Sequence, residues 1–149
     1  GLKFPIIFLI LVFLQITLGA FVSGMDAGKI YNSWPLMGSS YFPDDNNLIS
    51  LFSLKAFDDP SLVQFMHRNM AYVIIFFYLI ILFQIYRSNL TDFFKVIILI
   101  GFILFIQSLL GILTLLYGAQ IYLASMHQIS SIFLVSSSIY FFYLNTKFN

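Results

Sequence analysis

The chain has 149 residues, of which 60% are hydrophobic and 9% charged, and its formal net charge is +1. A single water-soluble core of that length cannot hide so much apolar surface, so lipid must cover most of it. The seven basic residues are scattered singly, which excludes a nucleic-acid-binding stripe, and the absence of cysteine excludes disulfides, thiolate metal sites and thiol redox chemistry.

The first apolar run, 4–23, is long enough to cross a hydrocarbon core of roughly 30 Å. It is too long for the core of a signal peptide and no small-residue cleavage site follows, so it reads as a retained span. The chain opens on Gly1 and enters this span almost at once, as expected of a piece cut from something longer. A polar stretch, 24–62, comes next. It carries five of the six acidic residues, with turn chemistry at Asn32, Ser33, Trp34 and Pro35, and is placed outside the lipid. Within it, 48–57 is expected to form a short interfacial helix. The second span, 63–86, has a readable start: Asp59 suits an N-cap and Pro60 the first helical position, where its missing N–H costs nothing. A tight link at 87–92 leads to the third span, 93–117, and another at 118–120 to the fourth, 121–144. Short links between neighbours predict an all-α, up-and-down bundle of four transmembrane helices in one membrane domain. Lys3, Arg87, Lys95 and Lys147 fall on one side and Lys29, Lys55 and Arg68 on the other, a small bias that places both termini in the cytoplasm or matrix.

Spans one and three share a pattern. Phe13-Leu14-Gln15-Ile16-Thr17-Leu18-Gly19 aligns with Phe105-Ile106-Gln107-Ser108-Leu109-Leu110-Gly111, and in each a Gln precedes a Gly by four residues, on one helical face. Each of these spans is followed by one bearing a Met-His pair, Met66-His67 and Met126-His127. The repeated unit is therefore a hairpin used twice. At 1.5 Å per residue, both histidines lie roughly 10 Å below the same membrane surface. Parallel helices on diagonal corners of such a bundle have axes roughly 11 to 14 Å apart. That gap suits a haem with an imidazole on either face.

Other readings of the histidines exist. Each can serve as a hydrogen-bonded structural residue, and a proton relay would lack an intramembrane acid. Zinc or copper would want further ligands that the spans do not offer. An ionisable residue inside a span is a functional candidate by default, and here two are matched in depth and in repeat position. Gly101, Ser108, Gly111 and Gly118 form a small-residue face on the third span, and Ala124 and Ser131 flank His127; such faces serve close helix packing and can also admit a flat macrocycle. Arg68, beside His67, is placed either to pair with a haem propionate or to anchor the helix at the interface. A stand-alone b-type cytochrome and a packing subunit without haem remain alternatives at this level.

Three segments carry a family resemblance: GAFVSGMDAGKIYNSWPLMG at 19–38, VQFMHRNMAY at 63–72 and QSLLGILTLLYGAQIYLASMHQ at 107–128. Together they resemble haem A synthase, the membrane enzyme of cytochrome oxidase assembly. The likeness covers nearly the whole chain. Its most specific part is DAGKIYNSWPLMG, which generic membrane packing does not account for. The resemblance implies an eight-helix pseudo-two-fold architecture of two related four-helix halves, each with a His pair, and an oxidoreductase that converts haem o to haem a by oxidising a methyl group to a formyl group. This sequence resembles the carboxy-terminal half, for which the resemblance implies a haem b whose iron is held by His67 and His127. The other half's His pair, its Gly-Gly-x-Thr-Arg segment and its glutamate before an HR pair are not present, so the catalytic carboxylate is expected outside this chain. The family's loop cysteine pair is also missing, as in the mitochondrial and α-proteobacterial branch, which points to a bacterial inner membrane or the mitochondrial inner membrane. Implied partners are haem o and haem a, membrane lipid, haem o synthase or other cytochrome oxidase assembly factors, and further copies in a homo-oligomer.

Overall fold

The computed structural model describes residues 4–147. Lys3, one of the cations used to orient the chain, lies outside the described residues. Four long helices carry the fold: α1 (Pro5–Gly24), α2 (Pro60–Arg87), α3 (Phe94–Leu116) and α4 (Ile121–Lys147). All four are long and apolar enough to cross a membrane. The protein is an all-α integral membrane bundle.

Helix α2 begins where local chemistry dictates. The Asp59 side chain accepts from the Leu62 N–H at 3.0 Å and Pro60 occupies the first turn. Helix α4 is the least apolar span, and the hydroxyls of Ser130, Ser131, Ser137 and Ser138 donate to carbonyls of their own helix. Ser137 donates to Phe133 O at 2.8 Å and Ser138 to Leu134 O at 2.6 Å, which removes the cost of carrying them in lipid.

Helices α1 and α2 pack as one hairpin and α3 and α4 as another, with α1 also lying along α4, while α2 and α3 touch sparsely. Helices α2 and α4 thus occupy opposite corners. The core that joins them is mainly apolar and includes Phe8, Ile81, Ile97, Ile100 and Phe141, with Ser137 and Ser138 buried as well. In lipid it stabilises through close packing and not through exclusion of water. The outward faces carry large apolar side chains, such as Phe76, Phe102, Phe105 and Phe133, each more than 60% exposed, the distribution a hydrocarbon solvent demands.

The long loop is ordered around short 3₁₀ turns. The segment expected to be an interfacial helix forms two such turns, Leu48–Phe52 and Leu54–Asp58, separated by an extended Ser53. Side chains explain the break. Asn47 accepts from Ser50 N–H and Ser53 from Lys55 N–H, local bonds that compete with α-helical pairing. The small-residue face of the third span also divides. Gly118 lies past the end of α3 at φ +65, where it turns the chain toward α4.

Candidate functional site

His67 is the eighth residue of α2 and His127 the seventh of α4, so both lie about two turns below the loop-bearing end of the bundle. Their rings face each other across the diagonal. The centroids are 6.5 Å apart and the planes cross at 89°. Metal–imidazole bonds of about 2 Å, with each centroid roughly 1 Å behind its nitrogen, place two imidazoles on one metal at about 6 to 6.5 Å between centroids. The observed spacing meets that requirement.

Each histidine is seated by the preceding helix of its own hairpin. Gln15 Nε2 donates to the His67 carbonyl at 3.1 Å, and Gln107 Nε2 donates to the His127 carbonyl, also at 3.1 Å. One turn further on, a Cβ added to Gly19 would lie 3.2 Å from His67 Cε1, and one added to Gly111 would lie 3.1 Å from His127 Cε1. The glycines therefore let the imidazole edges rest against helix backbone. Both Nδ1 atoms are buried and reach no protein hydrogen-bond partner. Among the described residues, no group of three or more His, Cys, Asp or Glu comes together. A metal held at this pair would take its remaining ligands from something other than carboxylates or thiolates of this chain. A macrocycle with four nitrogens of its own, flanked by two imidazoles, fits the donor set.

The loop closes over this end. Arg68 sits next to His67, and its guanidinium donates from Nη1 to Ser33 O at 2.9 Å and to Leu36 O at 3.3 Å, and from Nη2 to Tyr31 O at 2.9 Å. Gln64, one turn earlier, donates to the same Tyr31 carbonyl at 3.1 Å. Asn32 donates to Gly28 O and, at 2.8 Å, to Leu115 O in the last turn of α3, a helix-end carbonyl that also accepts from the Gly118 N–H at 3.1 Å, and so ties the loop to α3. The segment DAGKIYNSWPLMG thus presents its backbone carbonyls to α2 and an amide to α3. Nε of Arg68 is buried with no partner and is a donor that its latch leaves free.

Farther out, carboxylates tie the loop to itself. Asp44 accepts from the Ser39 N–H and from the Ser39 and Ser40 hydroxyls. These bonds, the Ser39 N–H first, hold its carboxyl below the ordinary value. Burial pushes Asp45 upward, but hydrogen bonds from Ser61, Tyr31 and Asn46 outweigh it, and the net direction is down.

Sequence reasoning singles out both histidines and Arg68 and brings Gln15, Gly19, Gln107 and Gly111 forward as a repeat, without saying what the repeat does. Asn32, Gln64 and the carbonyl of Tyr31 escape it. Backbone acceptors leave no compositional trace; the only signal is that the loop motif is too specific to be filler.

A bundle of membrane-spanning hairpins, each using a Gln-Gly helix to seat a histidine at one depth, defines a class of intramembrane proteins that present paired imidazoles. The family described as "Cytochrome oxidase assembly protein" matches residues 2–139, and the chain belongs to that family. It is 43% identical over 149 residues to a protein named "Heme A synthase" from Pelagibacter ubique, an alignment covering 97% of this chain and 44% of the relative. Proteins of the same name from Rickettsia africae and Rickettsia bellii are 37% and 42% identical, over 95% and 91% of this chain and 43% and 41% of the relatives. The chain spans less than half the length of the curated relatives it matches. No solved structure matches it.

Proposed function

We propose that this chain is the carboxy-terminal, haem b-holding half of a haem A synthase in an eight-helix architecture, the whole enzyme oxidising a methyl group of haem o to the formyl group of haem a. The observation that carries the reading is the diagonal pair of imidazoles, 6.5 Å between centroids, at matched depth in two repeated hairpins. His67 and His127 would hold the iron of that haem, one delivered by each hairpin. A haem ligated on both faces supplies one-electron transfer and leaves no open iron position for substrate.

The residues of this chain then have distinct tasks. The two histidines hold the iron, and the apolar core below them excludes water. Arg68 fastens the loop over the site and offers its free Nε–H to a carboxylate at the edge of the macrocycle. Proton handling at the reacting methyl is assigned to a carboxylate outside this chain, whose four long helices carry no Asp or Glu. Haem o synthase, other cytochrome oxidase assembly factors and further copies of the protein are the proposed partners, in a bacterial or mitochondrial inner membrane.

The test is a reduced-minus-oxidised spectrum of the protein purified in detergent. A b-type band is expected in the wild type and a loss of it in His67→Ala and His127→Ala; a wild-type preparation without that band refutes the haem reading. Extracted haems from cells lacking the gene should contain no haem a. Unchanged haem a after deletion refutes the synthase assignment.

A further inference from the structure

Imidazole orientation in metal sites is ordinarily fixed by a hydrogen bond from the ring nitrogen that does not bind the metal. Neither histidine has one within the protein, because both Nδ1 atoms are buried without a partner. Rotation about the last side-chain torsion of a histidine is otherwise broad. Something else must set the two planes, which cross at 89°.

The same device stands beside both rings. On one side of each histidine its own backbone carbonyl is held across the helix interface by a glutamine at 3.1 Å. That bond fixes the axial position and rotation of the histidine-bearing helix against its neighbour. One turn away the ring edge meets a glycine. An added Cβ at Gly19 would lie 3.2, 3.8 and 4.0 Å from Cε1, Nδ1 and Nε2 of His67, and one at Gly111 would lie 3.1, 3.6 and 3.6 Å from the same atoms of His127. The contact with Cε1 is tighter than nearly all Cβ contacts in proteins, so the ring must turn or shift by a few tenths of an ångström if a methyl is placed there.

We propose that Gln15 with Gly19, and Gln107 with Gly111, are positioning seats that set the planes of His67 and His127 and hold them crossed. The glutamine locks the helix register and the glycine supplies the flat backbone wall on which the imidazole edge lies. Each seat belongs to one hairpin, and the repeat of the hairpin produces the pair. These residues act through the histidines and touch no reacting atom. The proposal rests on the haem reading above and adds to it a cause for the ligand geometry.

Crossed and parallel imidazoles split the iron d orbitals differently. Crossed planes leave the two π-type orbitals nearly equal in energy and give ferric low-spin iron a strongly anisotropic paramagnetic signal dominated by one low-field feature. Parallel planes separate those orbitals and give a three-line rhombic signal. The test is low-temperature electron paramagnetic resonance of the oxidised protein, expressed as the cell encodes it and purified in detergent, with haem content and helix content measured on the same samples. The wild type should show the crossed-plane signal. Gly19→Ala and Gly111→Ala should each move it toward the rhombic form, or lose haem while keeping wild-type helix content. Gln15→Leu and Gln107→Leu, which remove only the cross-helix hydrogen bond, should move it in the same direction by less. Tyr78→Phe, a packing change on α2 more than two turns from His67, should lower the melting temperature and leave the signal in place.

Haem-loaded Gly19→Ala and Gly111→Ala proteins with the wild-type signal would overturn the seats while leaving the haem reading intact, as would a rhombic signal in the wild type. A wild type without haem overturns the haem reading and the seats with it. A purely structural role for these four residues predicts lower yield and melting temperature at an unmoved signal, and that outcome also counts against the proposal.

Discussion

Tyr78 of α2 reaches across to α3 and donates to the Ile97 carbonyl at 3.2 Å, and a Cβ placed on Gly101 would fall on its hydroxyl. Gly101→Ala should therefore cost about 1 to 3 kcal/mol through overpacking, read as a lower melting temperature in detergent. In a Tyr78→Ala background the same change should cost little, because its collision partner is gone. The loop offers a second residue-scale outcome. Asp44 is held below its ordinary value of 3.8 chiefly by the Ser39 N–H, so its contribution to loop order is complete above that value and is lost as pH falls through the lower folded one. The protection factor of the Ser39 amide, its exchange corrected for the intrinsic pH dependence of the amide, should fall on acidification, and Asp44→Asn should abolish that fall. Gly101 is visible in the sequence as a member of a small-residue face, but which partner it admits is not. The identity of the group opposite a glycine depends on helix rotation, which hydropathy leaves undetermined.

At the scale of elements, the helices were legible and the loop was not. Apolar runs with short links, and a capping Asp59 followed by Pro60, specify where helices lie because the membrane demands internal hydrogen bonding of every span. The loop is organised by side chains bonding to backbone carbonyls, for which sequence carries no period. Its central latch is Arg68, bonded to the carbonyls of Tyr31, Ser33 and Leu36. Lysine has one compact ammonium in place of a planar fork and cannot span three such acceptors. Arg68→Lys should loosen the loop by about 1 to 2 kcal/mol, roughly a tenfold increase in hydrogen exchange over residues 31–40. The two 3₁₀ turns behave as a separate element. Leu48, Ile49, Phe52 and Leu54 are 63 to 91% exposed, and Phe57 at their end meets Phe21 of α1 with centroids 5.9 Å apart, so this apolar ridge is continuous with a lipid-facing helix. Tryptophan substituted for Phe52 should be quenched by lipids brominated near the headgroup, as expected of an element lying in the interface; quenching by aqueous iodide alone would place it in water.

The whole molecule is two hairpins whose histidines converge on one point, and this has a thermodynamic consequence. The repeat was readable because Gln and Gly recur four residues apart ahead of each His. The crossing of the rings was not, since it depends on how the hairpins pack on each other. A ligand bonded to both His67 and His127 joins the α1–α2 pair to the α3–α4 pair, across a bundle in which α2 and α3 themselves touch sparsely. Anything that binds only the folded state stabilises it by mass action, and a bridging ligand does so only while both attachments hold. Losing either histidine should therefore remove most of that stabilisation, and losing both should remove little more, so the two substitutions should be strongly non-additive. Thermal melts of the wild type, His67→Ala, His127→Ala and the double variant, each prepared from haem-replete cells, provide the cycle. The single variants are expected to fall close to the double variant. Additive losses would mean that the histidines stabilise their own hairpins independently, and the bridge between the hairpins would be refuted.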